Sequence, residues 1–216
     1  MRRCSGCRPV LPSSLPVDVS ELSLYLRLGF THIADLRAYD HILFVAALTA
    51  SFGPRDWKRI AWLVTAFTLG HSITLALATL DIVRLPASVV EPAIAVTIVL
   101  TAFMAIHDQR RAEAAPVGGA WWRRYAIAAS FGLIHGLGFS GYLRALLGGE
   151  ESIVGPLLAF NVGLEVGQLL IVGVVFALGL AAERLLDWAR RDWVLVVGGA
   201  SAGIGVTLLL DRLLPG

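Results

Sequence analysis

The sequence predicts an all-α fold, a polytopic membrane helical bundle with about six transmembrane helices preceded by an interfacial amphipathic segment. Hydrophobic residues make up 56% of the 216 residues and charged residues only 16%, against about 25% charged residues in ordinary soluble proteins. The mean hydropathy is +0.73, and apolar runs of about 20 residues, the length that a spanning helix needs, recur along the chain. This composition argues against a water-soluble globule.

A polar leader, residues 1–20, comes first, and we expect it to be disordered. It lacks the continuous apolar core of a secretory signal peptide. Cys4 and Cys7 form a CxxC pair in it, but no second cysteine pair or neighbouring histidine completes a zinc site. Residues 21–216 are predicted to form a single transmembrane helical domain. Within it, residues 21–30 are amphipathic, and we interpret them as an interfacial helix although they also fit a two-residue period.

Six apolar segments then account for the spans, which we number in chain order. Span one covers residues 42–52 and is short unless its helix begins at about Ala38. Span three, residues 88–107, has Glu91 and Pro92 near its start, where proline is tolerated in the first helical turn. The other four segments are long enough to cross a membrane: span two at 60–80, span four at 125–147, span five at 153–182 and span six at 193–210.

The distribution of Lys and Arg predicts the orientation of the bundle. The loops after spans two and four and the C-terminal tail hold only Arg84, Arg144 and Arg212. The loops after spans one, three and five hold Arg55, Lys58, Arg59, Arg110, Arg111, Arg123, Arg124, Arg184, Arg190 and Arg191. By the positive-inside rule the richer side is cytoplasmic, which places both termini outside. The net charge of +2 is too small to indicate nucleic-acid binding.

Ionisable residues inside the apolar spans are the candidates for function. Such a residue costs roughly 2.5–3.5 kcal/mol to insert and is kept mainly where it faces a shared interior. At a rise of 1.5 Å per residue, several polar residues fall at overlapping depths: Asp40, His41, His71, Glu91, His135, Asn161 and Glu165. Two imidazoles and a carboxylate at similar depth predict a transition-metal site. His107, at the far end of span three, is interpreted as an interfacial histidine.

His32 joins this site only if the chain bends. It lies eight residues before Asp40, which is about 12 Å along a helix axis. The intervening residues include Asp35 and Arg37 and are too polar to span. A bend or re-entrant turn there would bring His32 to the site.

Span five carries the motif FNVGLEVGQ, in which Asn161, Glu165 and Gln168 share one helix face. Asn and Gln in membranes often only hydrogen-bond a neighbouring helix, so their role stays open, whereas a glutamate points to function.

Span two carries FTLGHSITL, with Ser72 beside His71. Span four carries FGLIHGLGF, whose glycines leave space for a neighbour or a ligand to reach His135.

These motifs, together with DHILF at residues 40–44, resemble the HupE/UreJ family of hydrogenase and urease accessory membrane proteins. The resemblance runs from about Phe30 to Gln168. It implies a bacterial inner-membrane protein that handles nickel or cobalt, with a metalloenzyme maturation system as a possible partner. Carried over by motif, the metal-binding residues are His32, Asp40, His41, His71, His135 and Glu165. From their positions in the spans, we predict four supporting polar residues: Asn161, Gln168, Glu91 and Ser72. The nickel-permease signature has a shorter spacing and a glycine between its first histidine and its Asp-His pair, whereas seven residues without a glycine separate His32 from Asp40. The resemblance therefore implies a transition-metal site rather than nickel specifically.

Three functions remain open at this point. The first is a permease or accessory protein that binds a divalent transition metal at a His and carboxylate site. The second is an intramembrane zinc hydrolase acting on an amphiphilic substrate, in which three protein ligands leave a metal position open for water; no HExxH or nucleophile motif supports it. The third is a membrane scaffold whose polar groups only hold helices together.

Overall fold

The structure is a computed structural model that describes residues 19–36, 39–114, 121–147 and 152–214. The leader, including Cys4 and Cys7, lies outside the described residues. The described part of the chain contains no strand, so the all-α prediction is confirmed. Its helices are α1 (Val19–Ala34), α2 (Asp40–Thr49), α3 (Trp57–Thr79), α4 (Ala87–Ala114), α5 (Trp121–Gly138), α6 (Ser140–Leu147), α7 (Val154–Leu185) and α8 (Arg190–Leu213), with a short 3-10 turn at Pro54–Asp56.

Four of these helices, α3, α4, α7 and α8, are long and apolar enough to cross a membrane. α5 and α6 meet the same requirement together and are bent by 56° at a break around Phe139. These segments correspond to predicted spans two to six. The predicted polytopic membrane bundle is therefore confirmed, while the sixth crossing stays a prediction.

Glycines set the pairing of the helices, because a missing side chain lets two helix backbones approach closely. Gly70 of α3 and Gly132 of α5 each lie against the backbone of the opposite helix. Gly29 of α1 and Gly163 of α7 make the same kind of contact. In each pair, later residues of one helix contact later residues of the other. α1 therefore runs parallel to α7, and α3 runs parallel to α5.

The helix ends gather at two faces of the bundle. α8 runs antiparallel to α4, because Gly198 contacts Ile106 and Gly205 contacts Ile98. We call the face where α1 and α4 begin and α8 ends the terminal face. We call the opposite face, where α3, α5 and α8 begin, the arginine-rich face. Most of the loop arginines counted above belong to the arginine-rich face.

α1 and α2 follow one path from the terminal face towards the arginine-rich face. α1 begins at the terminal face and runs parallel to α7. It includes residues 21–30, which are helical and packed along α7. α2 starts beside the middle of α3, and Phe52 just beyond its end packs on Trp121 at the start of α5, with ring centroids 5.3 Å apart. With 10 residues, α2 is about 15 Å long, only half of the ~30 Å hydrocarbon core. Span one therefore corresponds to α2, which follows α1 after a break between Ala34 and Asp40, where the bend after His32 was expected.

Candidate metal centre

Three histidines from three helices meet inside the bundle. His32 lies in the last turn of α1, His41 in the first turn of α2 and His71 in the middle of α3. One ring nitrogen from each lies within 4.8 Å of the other two. The break between α1 and α2 makes this meeting possible, because it turns the end of one helix and the start of the next towards α3.

His135 of α5 adds a fourth imidazole next to this group. Its ring centroid lies 5.0 Å from that of His41, and only 1% of the residue is exposed. The close packing of Gly132 and Gly136 on α3 holds the part of α5 that carries His135 against the part of α3 that carries His71. We call His32, His41, His71 and His135 the four-histidine cluster.

The cluster contains buried nitrogen atoms that lack hydrogen-bond partners among the residues that the structure describes. Both ring nitrogens of His71 are in this state, as are Nε2 of His32, Nε2 of His41 and Nδ1 of His135. Leaving a buried polar group unpaired costs about 1–3 kcal/mol, and native proteins contain few such groups. Their concentration at one place makes the cluster a candidate binding site for a ligand.

Asp40 orients one of these imidazoles. Its Oδ1 lies 3.0 Å from Nδ1 of His41 and accepts a hydrogen bond of 2.8 Å from the backbone N–H of His41. An ionised carboxylate can only accept, so Nδ1 carries the proton and Nε2 carries the free lone pair. A carboxylate that holds the second nitrogen of a histidine in this way is typical of metal-binding histidines, whose basicity it raises.

The cluster borders a cavity that opens at the terminal face. This cavity has a volume of about 810 Å³, and His32, His41 and His135 contribute to its lining. Residues at both helix breaks, around Asp35 and Phe139, line it as well. The lining also includes Glu91 and Arg212, which lie at the terminal face, so the cavity connects that face with His32, His41 and His135.

Aromatic rings close the cluster on the other side. Phe44 and Phe67 are buried, with ring centroids 4.8 Å apart. Their centroids lie 5.0 and 5.3 Å, respectively, from the ring centroid of His135. Nearer the arginine-rich face, Arg124 lies over the ring of Trp121 and forms an ion pair of 2.8 Å with Asp108. The cluster is thus open towards one face and closed towards the other.

The donor set favours a transition metal over calcium or magnesium. Imidazole suits nickel, copper, iron and zinc, whereas hard cations prefer carboxylate and carbonyl oxygens. Metal–imidazole bonds of about 2.0–2.1 Å place neighbouring donors in a tetrahedral centre about 3.4 Å apart. The donor nitrogens of His32, His41 and His71 already lie within 4.8 Å of one another. Side-chain shifts of about an ångström would therefore bring all three within bonding distance of one ion.

The polar residues of α7 lie elsewhere. Glu165 accepts a hydrogen bond of 2.5 Å from the hydroxyl of Thr65 in α3, and Gln168 accepts one of 2.8 Å from Thr68. Glu165 is not part of the histidine group. Both bonds join α7 to α3, which is the helix–helix bonding that was left open for Gln168, while the role of Glu165 as a metal ligand stays a prediction. Oδ1 of Asn161 is buried without a hydrogen-bond partner among the described residues.

Two further predicted residues, Ser72 and Glu91, make their polar contacts outside the cluster. Ser72 donates a hydrogen bond of 2.6 Å to the carbonyl of Thr68 within its own helix. Glu91 lines the terminal-face cavity and forms an ion pair of 2.6 Å with Arg212 at the end of α8. His107 is exposed and lies apart from the cluster, as expected of an interfacial histidine.

Sequence reasoning missed Thr97, whose hydroxyl oxygen lies 2.8 Å from Nε2 of His135. A threonine in an apolar helix is too common a feature to stand out. It also missed the partner of Glu91, Arg212, which we counted only as an arginine of the C-terminal tail. The signal for that pair was available, because both residues are charged and lie at the same predicted face.

A family model described as HupE / UreJ protein matches residues 15–211 of the chain. The match covers nearly the whole sequence and includes all four cluster histidines. Neither the curated proteins nor the solved structures compared with the chain include a match.

Proposed function

Because the chain belongs to the HupE/UreJ protein family, we propose that it is a membrane permease that takes up a divalent transition-metal ion of the nickel or cobalt type. The family implies a membrane role in nickel or cobalt handling, as an accessory or a transport protein. The observation that carries the proposal is the meeting of His32, His41 and His71, with unpaired nitrogens, beside an open cavity.

The ion is the cargo in this proposal, and the terminal-face cavity is its entrance. Under the positive-inside rule the terminal face lies outside the cytoplasm of a bacterial inner membrane. The carboxylate of Asp40 lines the cavity and attracts a divalent cation, whereas the charge of Glu91 in the same lining is compensated by its ion pair with Arg212. Neutral imidazoles then replace part of the ion's water shell, and the charge of Asp40 behind His41 compensates part of the charge of the ion.

Release towards the cytoplasm requires movement of the aromatic closure. Phe44 and Phe67 separate the cluster from the arginine-rich face, so the described conformation corresponds to an outward-open state. Both helix breaks border the cavity, and discontinuous helices at a mid-membrane site are common in transporters that alternate access between two sides. Rotation at the breaks of α1–α2 and α5–α6 would move the histidines and the closure together. A metalloenzyme maturation system is the proposed recipient of the ion.

Uptake of radioactive nickel and cobalt tests this function. Cells and proteoliposomes carrying the wild-type protein are expected to accumulate one of these ions, and His71→Ala is expected to abolish the accumulation. His107→Ala is the matched control, because it removes an exposed histidine from another part of the same bundle. Equal uptake by wild-type and His71→Ala protein, or no uptake by either, would rule out the permease.

The same geometry also favours a second candidate, an intramembrane zinc hydrolase. Three histidine ligands beside an open cavity leave a metal position for water, whose pKa zinc lowers to about 7. The two functions differ in how they hold the ion. A zinc enzyme retains one ion per chain through purification with a chelator, whereas a permease loses its ion and exchanges it for added nickel or cobalt.

A further inference from the structure

Thr97 of α4 lies between His135 and a backbone carbonyl in the interior of the bundle. Only 1% of the residue is exposed. Its Oγ1 lies 2.7 Å from the carbonyl oxygen of Ile94 and 2.8 Å from Nε2 of His135. The hydroxyl group therefore makes two short contacts at once.

These two contacts share one hydroxyl proton. A carbonyl oxygen can only accept, and threonine hydroxyls inside helices commonly bond a carbonyl of the preceding turn, so we assign the hydroxyl proton of Thr97 to the Ile94 carbonyl. With this assignment the hydroxyl oxygen offers only lone pairs to His135, and Nε2 carries the hydrogen that it donates. In a neutral imidazole the other nitrogen, Nδ1, is then unprotonated.

This nitrogen is the one that the site leaves free. Nδ1 of His135 is buried and has no hydrogen-bond partner in the described parts of the chain. His135 lines the terminal-face cavity beside His41. A metal ion binds the unprotonated nitrogen of a neutral imidazole, so the tautomer set by Thr97 is the one that allows coordination through Nδ1.

Building on the proposed metal binding, we propose that Thr97 is a positioning residue that holds His135 in the tautomer with a free Nδ1 and so makes this nitrogen a donor for the ion. Asp40 has the corresponding role for His41, because its carboxylate holds the proton on Nδ1 and leaves Nε2 as the free donor. The two imidazoles that face each other across the cluster are thus oriented by different chemical groups, a carboxylate and a hydroxyl.

Thr101, one turn further along α4, provides a matched control. It is also buried, with 3% exposed, and its hydroxyl bonds a carbonyl of its own helix, that of Thr97, at 2.7 Å. Among the residues that the structure describes, its hydroxyl makes no hydrogen bond to a histidine. Replacing Thr101 with valine therefore makes the same chemical change in the same helix without touching His135.

The test compares nickel and cobalt affinity in purified protein carrying Thr97→Val, Thr97→Ser or Thr101→Val. Loss of a residue that orients a metal-binding histidine weakens binding about 10–100-fold, and we expect a loss of this size for Thr97→Val. Thr97→Ser keeps the hydroxyl and is expected to stay close to wild type, as is Thr101→Val. Wild-type affinity in Thr97→Val, or equal losses in Thr97→Val and Thr97→Ser, would overturn the proposal.

A spectroscopic measurement on the wild-type protein covers the case in which Thr97→Val fails to fold. Nitrogen-15 NMR of histidine-labelled, metal-free protein, with the His135 signals identified by their loss in His135→Gln, reports the tautomer directly. We expect a protonated Nε2 and an unprotonated Nδ1, and the opposite assignment would overturn the role of Thr97. If the wild-type protein binds no metal while this tautomer is found, the proposed function fails and the positioning by Thr97 stands.

Discussion

His32 and His41 approach each other across the break between α1 and α2, with ring centroids 4.8 Å apart. In one continuous helix the same two residues would be about 13 Å apart along the axis. The break thus converts two separate positions in the sequence into neighbouring donors at one site. The following predictions test what this arrangement does.

Replacing His71 with leucine should abolish metal binding without destabilising the metal-free protein. His71 is fully buried and both its ring nitrogens are unpaired among the described residues, so its presence costs about 1–3 kcal/mol when no ion is bound. We expect the thermal unfolding midpoint of metal-free His71→Leu protein to equal or exceed that of the wild type. Elemental analysis and thermal unfolding in detergent check the two parts of this prediction.

His107→Leu makes the same exchange at an exposed position of α4 and should leave metal content unchanged. A scaffold role gives the opposite pattern. In that case the wild-type protein contains no metal and His71→Leu lowers the unfolding midpoint.

Asp40→Asn should weaken metal binding while keeping the fold. Asparagine can still accept the hydrogen bond from His41, but it lacks the negative charge that strengthens the imidazole and compensates the ion. Loss of such a carboxylate typically costs 10–100-fold in affinity, and titration with nickel or cobalt measures it. Asp81→Asn serves as the control, because Asp81 pairs with Arg144 at the terminal face. Equal affinities for Asp40→Asn and wild type would show that Asp40 has no part in binding.

Gly132→Ala should separate α5 from α3 and disturb the cluster. A methyl group at this position would overlap the carbonyl oxygen of Phe67, and α3 and α5 carry His71 and His135. We expect a lower unfolding midpoint and reduced metal binding. Gly203→Ala is the matched change in α8, where nothing lies within 4 Å, and there alanine is expected to be neutral or stabilising by up to about 1 kcal/mol. The proposed packing would be wrong if both variants behaved alike.

Glu165→Gln should leave the number of bound ions unchanged. The carboxylate bonds Thr65 and is not part of the histidine group, and glutamine can keep the bond to the hydroxyl. Metal content of the purified variant measures this directly. Loss of the ion in Glu165→Gln would instead support the sequence-based prediction that Glu165 is a ligand.

The sequence predicts the fold well because its apolar runs are long and their ends carry charge. Spans two to six correspond to helices at nearly the predicted positions. The break around Phe139 was not predicted, since the glycines near it were interpreted only as space for a neighbour. The polar residues between His32 and Asp40, in contrast, correctly indicated a bend.

The site was predicted less completely, because depth in a membrane does not determine which way a side chain points. His41, His71 and His135 meet as expected from their depths, and His32 joins them through the bend. Glu165 lies at a compatible depth but faces Thr65, and nothing in a single sequence reveals that pairing. Thr97 was missed because its role depends on the rotation of α4 relative to α5.

X-ray absorption spectroscopy of the nickel- or cobalt-loaded protein tests the proposed centre most directly. We expect three or four imidazole nitrogens around one ion per chain, no sulfur ligand, and loss of the imidazole signal in His71→Leu. An ion surrounded only by oxygen, or one held by sulfur from Cys4 and Cys7, would contradict the four-histidine cluster as the binding site.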